Sequence, residues 1–159
     1  MSRLDSMLRR LAAQRDGLNW AAQVIAPLPG DVLEMGLGNG RTYDHLREQL
    51  PERRIYVIDR LLQCHPDCIP PQEDFLQGDA QPVLAQLAAQ GSQFALVHYD
   101  FGIGVAQQDL AEAAALAPLI SRVTRKGGLV VSSQPFPGFE TLAGPEGIPN
   151  NRYHFYRAR

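Results

Sequence analysis

The sequence predicts an α/β fold in three layers, with helices on both faces of a mostly parallel sheet. Three observations indicate it. Apolar strand-like runs alternate with helical runs, the first strand-like run opens into a glycine-rich turn, and an aromatic C-terminal segment breaks the alternation. Strands that alternate with helices build parallel sheets. The predicted architecture is therefore a Rossmann-like αβα sandwich that ends in an antiparallel C-terminal edge strand.

The first predicted helix spans about residues 3–25, where apolar side chains recur at helical spacing. It stops at the proline- and glycine-rich residues 27–30. A short apolar strand over residues 31–35 opens into the glycine turn at residues 36–40. A second helix follows over about residues 41–50 and ends at a proline.

The same alternation continues through the middle of the chain. Residues 54–59 are rich in β-branched and aromatic side chains, which predicts a second strand. Residues 60–72 predict an irregular connection and residues 75–79 a short third strand. Residues 81–90 predict a third helix with a proline in its first turn, where proline is tolerated.

The last α/β unit is predicted from a fourth strand over residues 94–100 and an alanine- and leucine-rich helix over residues 106–124. Gly127 and Gly128 are predicted to end this helix and to begin a fifth strand over residues 129–133.

The length suits one domain with a sizeable core, so residues 1–159 are predicted to form a single domain. Within it we expect an N-terminal helix over residues 1–26, a core over residues 30–135 and a C-terminal edge segment over residues 136–159. The aromatic end of that segment predicts the antiparallel strand, paired with residues 139–143.

Composition limits the partners and the location. The formal net charge is −2 and no basic block stands out, which disfavours nucleic acid as a partner because its affinity depends on phosphate neutralisation. No apolar run approaches the ~20 residues needed to span a bilayer. The N-terminus lacks the apolar core of a signal peptide, so we expect a cytoplasmic protein. A homo-oligomer is compatible with the sequence.

The turn after the first strand carries glycine at every second position, at Gly36, Gly38 and Gly40. Glycine lets the backbone approach a ligand closely, and the next helix adds free N–H groups at the same point. A dinucleotide fingerprint requires a glycine where this chain has Arg41. An NAD(P)-dependent reductase is therefore kept only as the weaker alternative.

Acidic residues accompany four successive predicted strands: Glu34 in the first, Asp59 at the end of the second, Asp79 after the third and Asp100 at the end of the fourth. In doubly wound sheets, ligands bind at the carboxyl ends of the strands, where the strand order reverses. The sequence therefore predicts an acid-lined pocket, in which the Asp59 carboxylate can accept hydrogen bonds from ribose hydroxyls.

Residues 32–40, with Asp59, residues 78–80 and Asp100, resemble the ordered motifs of class I S-adenosylmethionine (SAM)-dependent methyltransferases. The whole chain further resembles a small bacterial branch of that class with no assigned acceptor. The resemblance implies SAM as cofactor, methyl transfer to an unidentified small-molecule acceptor, and an N-terminal helix that covers the cofactor. It also implies a set of cofactor-binding residues, namely Glu34, Gly36, Leu37, Gly38, Asn39, Gly40, Asp59, Gly78, Asp79, Ala80 and Asp100.

The resemblance assigns roles along the cofactor. Residues 36–40 would pack against its methionine part, with Glu34 near the amino group. Asp59 would hold the ribose diol, and Asp79, beside the Ala80 backbone, would bind adenine. Asp100, the one candidate catalytic residue, would lie near the sulfonium and the acceptor. Because the methyl group is already activated, a general base is optional.

One alternative concerns the function: a SAM-binding sensor or inactive subunit without catalysis would carry the same motifs. Another concerns Asp79, which could cap the helix over residues 81–90 instead of binding adenine.

The remaining alternatives concern single residues. Cys64, His65 and Cys68 invite a zinc interpretation, but zinc needs four ligands and no second pair is suitably spaced, so free thiols and no metal are predicted. His98 is interpreted as a packing residue, as is Tyr99. Trp20 either belongs to the core or faces the substrate.

Overall fold

The computed structural model describes residues 1–149 and 151–159, in which seven strands form one sheet with helices on both faces. In chain order the elements are α1 (Arg3–Val24), β1 (Val32–Met35), α2 (Arg41–Gln49), β2 (Ile55–Asp59), β3 (Phe75–Gln77), α3 (Ala80–Ala89), β4 (Phe94–Tyr99), α4 (Ala106–Val123), β5 (Thr124–Ser132), β6 (Glu140–Leu142) and β7 (His154–Arg157). The irregular connection between β2 and β3 contains two short 3-10 turns. Among the helices of the described residues, none has the length and apolar character that a membrane crossing requires.

The strand order of the sheet is β3-β2-β1-β4-β5-β7-β6. Strands β1 to β5 pair in parallel, whereas β7 runs antiparallel to both β5 and β6. The chain builds outward from β1 on one side and from β4 on the other, so the strand order reverses between these two strands. Their carboxyl ends therefore border the crevice at which ligands of such sheets bind. The predicted αβα sandwich is confirmed.

Each face of the sheet has its own buried layer. On the face covered by α3 and α4, the layer includes Met35, Tyr99 and Ile120. On the face covered by α1 and α2, it includes Leu18 and Leu46. Burying one large apolar side chain stabilises the fold by about 1.5–3 kcal/mol. The central strands are buried on both faces, which is why they are continuous apolar runs in the sequence.

The two glycines after α4 differ from their prediction. Gly127 and Gly128 do not separate helix from strand, because β5 begins at Thr124, directly after α4. They lie within β5, opposite a shift in the β4–β5 register between Phe94 and Leu96. A Cβ on Gly128 would stand 3.0 Å from the Ala95 carbonyl oxygen. The prediction was wrong because glycine also serves where two strands approach closely at an irregularity.

The antiparallel C-terminal edge is confirmed, and it contains two strands. The predicted pairing with residues 139–143 is present as Glu140 to Leu142 of β6 against β7. β7 lies between β5 and β6 and buries its two aromatic residues on opposite faces, Phe155 beside the α1 layer and Tyr156 beside the α4 layer.

Candidate functional site

A cavity of about 340 Å³ opens where the carboxyl ends of β1, β2 and β4 meet the N-terminal helix. We call it the central cavity. α1 and the glycine loop, residues 36–40, both contribute to its walls. The cavity is lined by Met7, Arg10, Leu11, Gln14, Gly36, Leu37, Gly38, Asn39, Gly40, Arg41, Thr42, Asp59, Asp100, Phe101 and Gly102. Seven of the predicted cofactor-binding residues therefore line one cavity: Gly36, Leu37, Gly38, Asn39, Gly40, Asp59 and Asp100.

The glycine loop is tightly bonded to the strands beside it. The Gly36 N–H donates to the Ile58 carbonyl at 2.9 Å, and the Gly40 N–H donates to the Leu37 carbonyl at 2.8 Å. Gly40 has a φ of 92° and begins α2. A Cβ there would lie 2.4 Å from the Cβ of Cys68. A Cβ on Gly38, whose φ is 50°, would have no heavy atom within 4 Å in the described part of the chain.

Asp59 holds the glycine loop from the end of β2. Its Oδ2 accepts hydrogen bonds from the backbone N–H of Leu37 at 2.8 Å and of Gly38 at 3.3 Å. Its Oδ1 accepts one from the Arg60 N–H at 2.7 Å. A carboxylate offers about four acceptor positions, so these bonds leave capacity for a ligand. Asp59 is thus placed both to shape the loop and to face the cavity.

A chain of buried polar side chains joins the middle of the sheet to the cavity. Glu34 and His98 are register partners on β1 and β4, and Glu34 Oε1 lies 2.5 Å from His98 Nδ1. His98 Nε2 lies 2.5 Å from the Tyr153 hydroxyl. Gln14 Nε2 lies 3.5 Å from that hydroxyl and donates to Asp100 Oδ2 at 3.2 Å. We call these five residues the buried polar chain.

From the sequence, only Glu34 and Asp100 of the buried polar chain are identified as site residues. His98 was interpreted as a packing residue, and Gln14 and Tyr153 were assigned no role. One feature of the sequence could have indicated the Glu34–His98 pair: both residues lie in the middle of apolar strands that are predicted to be central in the sheet. A carboxylate and an imidazole that are buried in neighbouring strands need partners, and they can provide them for each other.

Burial acts oppositely on the two ionisable groups at the centre. Burial raises the pKa of Glu34, and the attraction of His98 opposes that rise only in part. Burial by itself would lower the pKa of His98. Attraction to and hydrogen bonding with Glu34, together with attraction to Asp100, outweigh this effect, so the pKa of His98 is raised. Burial also raises the pKa of Tyr153, which keeps this phenol protonated. Glu34 Oε2 has no hydrogen-bond partner within the described residues.

Four predicted cofactor-binding residues lie outside the lining of the central cavity. Glu34 is fully buried beneath it. The Asp79 carboxylate is largely exposed and pairs with Arg60 at 2.6 Å. Asp79 occupies the N-cap position of α3 but makes no side-chain capping bond within the described structure. Gly78 connects β3 to this position, and Ala80 packs into the core beside α3.

The cysteine cluster packs behind the glycine loop. The Cβ atoms of Cys64 and Cys68 both contact the position of Gly40, and both cysteines are free thiols. His65 Nδ1 accepts a hydrogen bond from the Asp67 N–H at 3.1 Å. Across residues 1–149 and 151–159, no three histidine, cysteine or acidic side chains are grouped as metal ligands. Trp20 packs edge-on against Phe155, with ring centroids 5.2 Å apart.

The chain matches one family over nearly its whole length. Residues 1–158 match the family described as S-adenosyl-L-methionine methyltransferase. A search of curated proteins finds no match. A crystal structure of an S-adenosyl-L-methionine methyl transferase from Silicibacter pomeroyi is 40% identical, with a TM-score of 0.93 over 100% of this chain and 99% of that chain.

More distant structures share only the fold. Human methyltransferase-like protein 13, solved with S-adenosylhomocysteine (SAH), is 11% identical with a TM-score of 0.54, over 98% of this chain and 80% of that one. NSun6 from Pyrococcus horikoshii, solved with the ligand SFG, is 14% identical with a TM-score of 0.55, over 90% of this chain and 51% of that one.

The packing of the glycine loop can be tested with Gly40→Ala, with Gly38→Ala as the matched control. Both variants place a Cβ at a positive φ, which costs about 1–2 kcal/mol. Only Gly40→Ala also forces a collision with Cys68, and such overpacking costs about 1–3 kcal/mol more. Chemical denaturation should therefore show a lower free energy of unfolding for Gly40→Ala. Equal losses in the two variants would contradict the packing described here.

The Glu34–His98 pair can be tested by NMR titration of the imidazoles. In the wild type, His98 should titrate above the ordinary histidine value of about 6.5. In Glu34→Gln the carboxylate is lost while burial and the weaker attraction of Asp100 remain, so the His98 pKa should fall from its wild-type value. His154, whose pKa burial lowers, is the internal control and should not change.

The raised pKa of His98 also has a consequence for stability. The folded state keeps a proton that the unfolded chain releases above about pH 6.5. The stabilisation from His98 is therefore complete below that pH and is lost as the pH rises through the folded pKa. In the NMR titration, a His98 pKa that is the same in wild type and Glu34→Gln would contradict the pairing of His98 with Glu34.

Proposed function

This chain belongs to the S-adenosyl-L-methionine methyltransferase family, and we propose that its central cavity binds SAM and presents the methyl group to a small-molecule acceptor. The full-length family match carries the activity. One observation supports this position for the cofactor site: the glycine loop, Asp59 and Asp100 line the same cavity, together with residues of α1. The cofactor carries positive amino and sulfonium groups, which suit an acid-lined site.

The glycine loop and Asp59 fit the cofactor in shape and chemistry. A loop without a Cβ at Gly36 or Gly38 allows the methionine part of SAM to approach the backbone closely. The N–H groups of Leu37, Gly38 and Arg60 use three of the about four acceptor positions of the Asp59 carboxylate, which leaves about one for a hydroxyl of the ribose diol. We assign the ribose to Asp59 and the methionine part to residues 36–40.

Asp100 is proposed as the residue nearest to the reaction. It follows β4, lines the central cavity, and is held by Gln14 of α1. In the reaction, a lone pair of the acceptor forms a bond to the methyl carbon, and the carbon–sulfur bond breaks with its electrons returning to sulfur. An acceptor proton passes to solvent or to Asp100. Alignment of the reactants alone can contribute about 7–11 kcal/mol to such a step.

The other proposed contacts lie further from the cavity. Glu34 is proposed near the cofactor amino group. Its Oε2 has no partner in the described residues but is fully buried, so this contact requires local movement that opens a path to it. Asp79, with Gly78 and the Ala80 backbone, is proposed to bind adenine. That contact requires the Asp79 carboxylate to exchange its ion pair with Arg60 for the adenine amine.

We propose that the protein is bacterial and that it is located in the cytoplasm. The full-length relative from Silicibacter pomeroyi supports a bacterial source. The free thiols of Cys64 and Cys68 are compatible with the reducing cytoplasm.

The ribose assignment predicts that Asp59→Asn weakens SAH binding. The loss should be about 1.5–3 kcal/mol, the range for a hydrogen bond to a charged group. Isothermal titration calorimetry measures it, with Asp31→Asn as control because Asp31 precedes β1 at the opposite end of the sheet.

A 2′-deoxy analogue of SAH separates ribose contact from loop shaping. If Asp59 holds the diol, wild type should bind this analogue more weakly than SAH, and Asp59→Asn should bind the two about equally. A folded Asp59→Asn protein with wild-type affinity for SAH would contradict the assignment of the ribose to Asp59.

A further inference from the structure

A second cavity, of about 330 Å³, adjoins the central cavity at Asp100. Five residues line both, namely Arg10, Gln14, Asp100, Phe101 and Gly102. The rest of its wall comes from the start of α4, the end of β5 and the segment before β7. With SAM in the central cavity, the second cavity adjoins the cofactor at the residues that both cavities share. A molecule there would adjoin the site proposed for the reaction.

The acidic and phenolic groups of this second cavity already have partners. Asp109 is buried, and its carboxylate accepts hydrogen bonds from the Ile103 N–H at 2.9 Å and the Gly104 N–H at 3.2 Å. Asp100 accepts from Gln14, and the Tyr153 hydroxyl is paired with His98. These hydrogen bonds, all from neutral donors, stabilise the two carboxylates and hold the phenol within the protein.

Two arginines also line the second cavity. Arg10 reaches the cavity from α1, and Arg152 from a turn in which its N–H donates to the Pro149 carbonyl at 3.0 Å. Across residues 1–149 and 151–159, neither guanidinium forms a salt bridge or a side-chain hydrogen bond. Each guanidinium can therefore pair with an anion that binds in this cavity.

The geometry of arginine specifies the kind of anion. The planar guanidinium presents parallel N–H groups that match the two oxygens of a carboxylate or phosphate. Other lining side chains, Ser133, Gln134 and Asn151, are neutral hydrogen-bonding groups that suit the polar remainder of a small molecule.

We infer that the second cavity binds the methyl acceptor through an oxyanion, a carboxylate or phosphate held by Arg10 and Arg152. The inference rests on the proposed function, because it takes SAM to fill the central cavity. With its anionic end between the two arginines, the acceptor would direct its nucleophilic end toward Asp100 and the methyl group. The arginines thus select the acceptor by charge, and Asp100 stands where the two ligands meet.

The test uses the full-length protein saturated with SAH and matched pairs of small probes. Acetate is compared with acetamide, and benzoate with benzamide, because each pair differs in charge but little in shape. Phenyl phosphate is added as a third anion. Binding is followed by chemical-shift changes in backbone amides. At least one anion should bind about tenfold or more tightly than its neutral counterpart, and the tightest anion identifies the carboxylate or phosphate class.

The variants are Arg10→Gln and Arg152→Gln, with Arg9→Gln as the matched control. Arg9 is the neighbour of Arg10 on α1, is exposed, and does not line either cavity as described. Each of the first two variants should weaken anion binding about tenfold, whereas Arg9→Gln should leave it unchanged. Arg152 lines only the second cavity, so Arg152→Gln should also keep the wild-type affinity for SAH.

The outcomes separate this inference from the function on which it rests. Equal binding of anions and their neutral counterparts, or anion binding that is insensitive to both arginines, would overturn the oxyanion site while SAH binding stands. Failure of the wild type to bind SAH would overturn the proposed cofactor site, and the acceptor site with it.

Discussion

The pairing of Glu34 with His98 between the two central strands is the interaction on which the site depends. These residues face each other across the point where the strand order reverses, and both are fully buried. An unpaired charge at this depth would cost several kcal/mol, so each side chain requires the other. Through Tyr153 and Gln14, the same pair connects the C-terminal segment and α1 to the floor of the cavity. Elements distant in the sequence are thus fixed around one polar centre.

The loops above this centre are positioned by backbone bonds between adjacent strands. The Asp100 N–H donates to the Met35 carbonyl at 2.9 Å, which holds the end of β4 against the end of β1. Asp59 then holds the glycine loop from β2. A Cβ on Gly36 would lie 3.0 Å from the Asp100 carbonyl oxygen, so glycine is needed where the two loops pass. The glycine loop and the segment at Asp100 are therefore fixed by contacts within the protein, which reduces the cost of ordering the site on binding.

Patterns between residues that are near each other in the sequence predicted the secondary structure and the turns that follow the strands. The alternation of strands and helices gave the αβα layers, and the glycine spacing with the acids at strand ends indicated seven residues that line the central cavity. Long-range pairing was not predictable in this way. Tyr153 meets His98 across 55 positions of sequence, and no local pattern specifies that contact. Gly127 and Gly128 were misinterpreted for a similar reason, since only the approach of β4 shows that they belong inside β5. Asp79 lies where the motif places it, yet its side chain pairs with Arg60, a partner that motif order does not reveal.

A crystal structure of the SAH complex tests the central claim, that the cavity between α1 and the glycine loop is the cofactor site, most directly. The account predicts SAH in that cavity, with its homocysteine part against residues 36–40, its ribose diol within hydrogen-bond distance of Asp59, and its sulfur facing Asp100. SAH bound elsewhere, for example in the apolar cleft between α1 and α2 that Leu8 and Leu18 line, would contradict it. So would SAH in the central cavity with its ribose turned away from Asp59.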